Sequence, residues 1–146
     1  MRNTVALASL AAIFAAAPVA AREEEEKPPE LTPEQKMARR HPQPVRVGDL
    51  IGRAIVDDNT ATIGRVRAVV QAGNGKIRLV TPYGGLLGFG ARFVAVPVEA
   101  VALLGHLVAA KDMDRAAFEK APSWYGSDSE RTLGPDEVIR VGLTRR

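Results

Sequence analysis

Beyond residue 44, apolar residues come in short runs separated by turn signals, and the runs alternate with polar positions more often than they repeat at helical spacing. Residues 50–56, LIGRAIV, read as a strand, and residues 57–60, DDNT, as the turn after it. Asp and Asn suit that turn because their short side chains bond local backbone and tolerate left-handed geometry. Residues 62–72, TIGRVRAVVQA, set Ile63, Arg65 and Arg67 against Gly64, Val66 and Ala68 before the apolar side broadens at Val69 and Val70. Residues 73–75, GNG, predict a hairpin with a primed turn, since Asn-Gly readily takes positive φ. The return strand is 76–82, KIRLVTP, with Ile77 and Leu79 on one face and Lys76 and Arg78 on the other. Residues 92–98, 100–105 and 106–110 read as three further strands, the last two folded at Gly105. A short helix follows in DMDRAAFEKAP, with Asp112 as its expected cap and Pro122 as its stop. Short strands at regular spacing, joined by Gly, Asn and Asp turns, predict a mainly β protein, a small barrel or sandwich.

The first segment, MRNTVALASLAAIFAAAPVAA, has a different pattern. Arg2 supplies a positive start, residues 5–17 are uncharged and rich in Ala and Leu, and VAA at 19–21 offers small residues for cleavage after Ala21. It reads as a secretory signal peptide, which predicts a periplasmic or secreted protein. An uncleaved anchor is the competing reading. Residues 22–44 carry five prolines and many charges without apolar periodicity, so they read as a flexible, disordered linker ahead of a domain at 45–124. Within the linker, Thr32 and Pro33 form the start signal of a short helix running to Arg40. Residues 125–146 read as a C-terminal extension, in which VIRVGL at 138–143 is either one added strand or a segment that pairs with a partner's edge.

Composition narrows the chemistry. The chain of 146 residues has no cysteine, which removes disulfides, thiolate catalysis and Cys-based metal sites. Its net charge of +3 is too small for a nucleic-acid footprint. His41 falls in the linker and His106 beside Gly105, neither with a second ligand at metal spacing. Asp57 and Asp58 sit in a turn, where Asp is expected for backbone reasons. Ser123, Ser127 and Ser129 have no neighbouring base, so no nucleophile is proposed. No catalytic, cofactor or metal residue is assigned, and no enzyme activity is expected.

Two surfaces remain. YGGLLGFGARF, at 83–93, holds four glycines but neither the Lys and Ser/Thr of a phosphate loop nor a helix after it. Gly84 and Gly85 suit a sharp turn, and Gly88 and Gly90 a bulge or close backbone approach. Leu86, Leu87 and Phe89 then either fold over a barrel mouth or form an exposed contact patch. Arg65, Arg67, Lys76 and Arg78 share one sheet face if their strands pair. That face is either solvated or a basic patch for an anionic membrane surface or an acidic protein.

With these segments in view, the chain resembles the PRC-barrel family, named after the cytoplasmic domain of the photosynthetic reaction centre H subunit. The similarity runs from Val47 to about Trp124. DLIGRAIVDDNTATIGRV resembles the family's opening strand, acidic turn and Ile-Gly-x-Val second strand. GGLLGFGARFVAVPVEAV resembles its Gly-Gly turn and the strand ending in Val-Pro. DMDRAAFEKAPSW resembles its closing helix. Residues 59–62 depart from the Gly-containing turn expected there, and residues 125–146 lie outside the pattern. The resemblance implies a small β-barrel of about six strands with one short C-terminal helix. It also implies a binding or docking module, here placed in the bacterial cell envelope and contacting an unidentified protein partner or the membrane surface. The alternatives it leaves open are an RNA-associated maturation module and a membrane-anchored subunit like that of the photosynthetic complex.

Overall fold

The computed structural model describes residues 29–86 and 89–144. The expected signal peptide at residues 1–21, residues 22–28 of the expected linker, Leu87 and Gly88 lie outside the described residues. The fold is mainly β, as expected. In chain order it runs α1 (Pro33–Arg39), β1 (Gln43–Arg46), a single turn α2 (Val47–Leu50), β2 (Ala54–Val56), β3 (Thr62–Arg65), β4 (Ala68–Gln71) and β5 (Ile77–Tyr83). It continues with β6 (Arg92–Pro97), a 3-10 turn (Val98–Ala100), β7 (Val101–Leu104), β8 (Leu107–Ala110), α3 (Arg115–Lys120), β9 (Arg131–Thr132) and β10 (Val138–Leu143). One sheet has the order β1-β10-β7-β8-β2-β3 and the other β6-β5-β4-β9. The pairs β10–β7 and β2–β8 are parallel; the other strand pairs are antiparallel.

Among the described residues there are ten short strands rather than about six, and each difference has a local cause. The expected strand 62–72 changes sheets midway. The Val66 amide donates to the Arg53 carbonyl at 3.0 Å, but the next amide, on Arg67, donates to Val80 at 2.7 Å. One continuous apolar pattern therefore becomes β3 in the larger sheet and β4 in the smaller, a corner of the kind that joins two packed sheets. The first expected strand is shortened because Leu50 ends the turn α2, which buries Val47 and Leu50, and the chain then turns at Gly52, whose φ is 83°, before β2 begins. The remaining strands, β1, β9 and β10, come from segments read as linker and extension.

Most buried side chains form one Val-rich cluster between the sheets, including Ile55, Val69, Leu79, Val96, Val108 and Val141, with Phe118 of α3 fully buried among them. The two sheets approach closely where β3 passes β5. A Cβ at Gly64 would lie 2.4 Å from Thr81 Oγ1 and 2.7 Å from the Pro82 carbonyl, distances no side chain tolerates. Thr81 is itself fully buried and donates to the Pro82 carbonyl at 3.3 Å.

Residues 33–44 do not behave as a free spacer. Thr32 caps α1 in a reciprocal box with Gln35, and Met37 packs against the core. The Arg40 guanidinium donates to the Glu99 carbonyl at 3.0 Å and to Asp112 Oδ2 at 2.6 Å. Met37 is the one apolar side chain of the helix packed on the core, and the other contacts are polar, including Lys36 to Asp112 at 3.6 Å, so no apolar period is visible. Asp112 thus serves this contact, and the cap of α3 is Asp114, whose Oδ1 accepts from the Ala117 amide at 2.8 Å. The hairpin at GNG is also not the primed form. Only Gly75 among its residues has positive φ, and the Ala72 amide donates to the Lys76 carbonyl while that of Gly75 donates to Ala72. That is a three-residue turn closed by a glycine bulge.

Candidate functional site

β5 ends at Tyr83, where Gly84 and Gly85 take φ of 75° and 83°. Beyond them Leu86 and Phe89 exchange backbone hydrogen bonds in both directions, each 2.9 Å. The two residues are thereby paired directly opposite each other in an isolated antiparallel bridge. Their side chains are 78% and 81% exposed, so they do not fold back over a barrel mouth. Gly85 is essential to this path: a Cβ there would lie 2.6 Å from the Phe89 carbonyl and 2.7 Å from the Ala91 amide.

The base of the hairpin is anchored firmly. Arg92 donates to the carbonyls of Phe118 and Glu119, each at 2.7 Å, and to that of Ala121. These are the orphan carbonyls at the C-terminus of α3, where a cation also meets the negative end of the helix dipole. The same guanidinium lies over the Tyr83 ring at 5.7 Å, and Tyr83 stacks at 5.6 Å against Phe118. Arg92 went unnoticed in the sequence, although a helix closing on Ala-Pro needs a donor for its last carbonyls.

The four basic residues expected on one face are not brought together. Arg65 lies on β3 in the six-stranded sheet and donates to the Gly52 carbonyl at 3.1 Å. Arg67 sits at the corner between the sheets. Lys76 reaches Glu34 of α1 at 3.7 Å, and Arg78 of β5 reaches Glu130 at 3.2 Å. The premise of a shared face fails because the strand carrying Arg65 and Arg67 changes sheets between them.

A cleft unforeseen in the sequence lies over the outer face of the four-stranded sheet. Residues 122–130 cross Ala95 of β6 and Arg78 of β5 and leave an open depression of about 570 Å³. Glu130, its side chain only 8% exposed, accepts from the Trp124 indole N–H at 2.8 Å and from Arg78. Tyr125 next to this fixed tryptophan is 90% exposed. The tail then turns at Gly134, whose amide donates to Glu137 Oε2 at 2.6 Å. That bond, with the Arg131 guanidinium beside it, holds the Glu137 carboxyl below the usual carboxylate range.

The acidic turn and the serines that the sequence put forward are engaged in local bonds. Asp57 Oδ1 accepts from the amides of Asn59 and Ala61, and Asp58 pairs with Lys111 at 3.0 Å. The hydroxyls of Ser127 and Ser129 bond each other at 2.7 Å. Among the described residues, no group of three His, Cys, Asp or Glu side chains could hold a metal ion, and no helix is long and apolar enough to cross a membrane.

One family model, that of the PRC-barrel domain, matches residues 44–113, the stretch that carries the corner between β3 and β4, Gly64 and the Gly-Gly hairpin. These residues form a PRC-barrel domain. No curated protein matches the chain closely enough to count as a relative. The PRC-barrel match begins within β1 and ends at Met113, so α3, the cleft-forming segment and β10 lie beyond it. β10 nonetheless inserts between β1 and β7, inside the larger sheet.

Proposed function

We propose that this protein is an exported, non-enzymatic docking protein, and that its PRC-barrel domain presents the 84–90 hairpin to a protein partner in the cell envelope. The observation that carries the reading is the pair Leu86 and Phe89, held side by side by two backbone hydrogen bonds and largely exposed. Large apolar side chains in a fixed protruding pair suit insertion into a concave pocket, where aromatic anchors contribute most of the binding energy. A protein pocket fits better than an anionic membrane surface. Residues 82–91 contain no Lys or Arg, and the nearest cation, Arg92, is committed to the end of α3. Export rests on the pattern of residues 1–21.

The test is photo-crosslinking in the native host from a reactive amino acid placed at Phe89, with the mature N-terminus determined on the recovered protein. A discrete protein adduct on a chain starting at Arg22 supports the proposal. Adducts to lipid alone would assign the hairpin to the membrane. A chain retaining Met1 in the cytosol would remove the envelope from the reading.

A further inference from the structure

We infer that the cleft over the four-stranded sheet is a binding site for a neutral oligosaccharide. The inference rests on the cleft and is independent of the hairpin. Its floor is pre-organised, because Glu130 fixes both the Trp124 indole and the Arg78 guanidinium through its two carboxylate oxygens. Arg78 commits one N–H to that bond, and a guanidinium carries five. Asn74 uses its side-chain oxygen on the Lys76 amide, which leaves its amide hydrogens as donors. Ser127 and Ser129 add a hydroxyl pair at the wall.

The charges decide the class of ligand. Arg78 and Glu130 are paired at 3.2 Å and cancel, so the floor offers directed hydrogen bonds without net charge. A phosphate-bearing ligand would call for unpaired cations. An extended peptide adding to a sheet would call for a free strand edge, whereas this cleft lies over the face of β5, between neighbours β4 and β6. A sugar matches what is present: its hydroxyls suit the donors, and its C–H face packs on an aromatic ring. Tyr125 is 90% exposed at the rim and Trp124 lines the cleft beside it. The depression is open at the surface, which suits a chain of sugars passing through it more than a single enclosed one.

Trp124 is the chain's only tryptophan, so its emission reports on this cleft alone. The whole chain is titrated with cellotetraose and with chitotetraose, following both tryptophan emission and heat of binding. The expected result is a saturable response to at least one of them. Tyr125→Ala weakens it about tenfold or more, Tyr125→Phe keeps it, and Phe89→Ser leaves it unchanged. Flat emission and flat heat with both sugars up to about 10 mM would overturn the inference. So would a Tyr125→Ala titration indistinguishable from the parent, or saturation by a proline-rich peptide with no response to either saccharide.

Discussion

Gly64 and the glycines of the 84–90 hairpin have the same side chain for opposite reasons. At Gly64 the backbone is ordinary and space is missing: a Cβ would collide with Thr81 and Pro82 where the two sheets cross. At Gly84 and Gly90 space is open and the backbone is unusual, with φ of 75° and 74° and no atom within 4 Å of a Cβ. The first glycine lets two sheets share a core. The others steer a chain outward and leave Leu86 and Phe89 in solvent. Glycine at a packed crossing is a statement about the fold, and glycine at an open tip is a statement about what the surface presents.

The comparison breaks most visibly at the crossing. Gly64→Val should cost about 3 kcal/mol or more, because the clash is with a buried hydroxyl and a backbone carbonyl that cannot rotate away. Urea unfolding measures it; a loss below about 1 kcal/mol would mean that the sheets can part without penalty. Gly85 is the intermediate case, with both a φ of 83° and a Cβ position 2.6 Å from the Phe89 carbonyl. Gly85→Ala should cost about 2 kcal/mol and remove the reciprocal Leu86–Phe89 bonds, seen as faster amide exchange at both residues.

How much of this was legible beforehand follows from where the signals are local. The strand pattern, the absence of a phosphate-loop context and VIRVGL as a strand are written in neighbouring residues, and β10 occupies Val138–Leu143. The sheet change at Val66 is not local, since alternation continues through it while its hydrogen-bond partner changes from Arg53 to residues near Val80. That hidden corner is why Arg65 and Arg67 were placed on one face with Lys76 and Arg78. The cleft was hidden for a similar reason. Arg78 and Glu130 are 52 residues apart, and nothing in either neighbourhood announces the other.

A third site reverses the glycine experiment. Thr60 stands at φ 62° in the acidic turn, a β-branched residue in the left-handed region, within the stretch that departs from the Gly-containing turn of the resemblance. Thr60→Gly relieves that strain but gives up the hydroxyl bond to the Asn59 carbonyl and gains unfolded-state entropy. The net should be a stabilisation of about 0.5 kcal/mol, read as a higher urea midpoint with an unchanged slope. A loss instead would show that the hydroxyl bond and the unfolded-state entropy outweigh the left-handed strain at this turn.

The smallest effect on stability is expected at the hairpin itself. Replacing Leu86 and Phe89 together by Ser removes two large side chains that touch little, while the backbone bonds between them need no particular side chain. The double variant should unfold within about 0.5 kcal/mol of the parent. Crosslinking to a partner from a reactive residue placed at Ala91, exposed beside the pair, should nevertheless fall to background. Stability and contact separate only if these residues are there for another molecule. Were the double variant less stable by about 1.5 kcal/mol or more, both side chains would be packing on their own domain. The hairpin would then belong with Gly64, as part of what holds the sheets together.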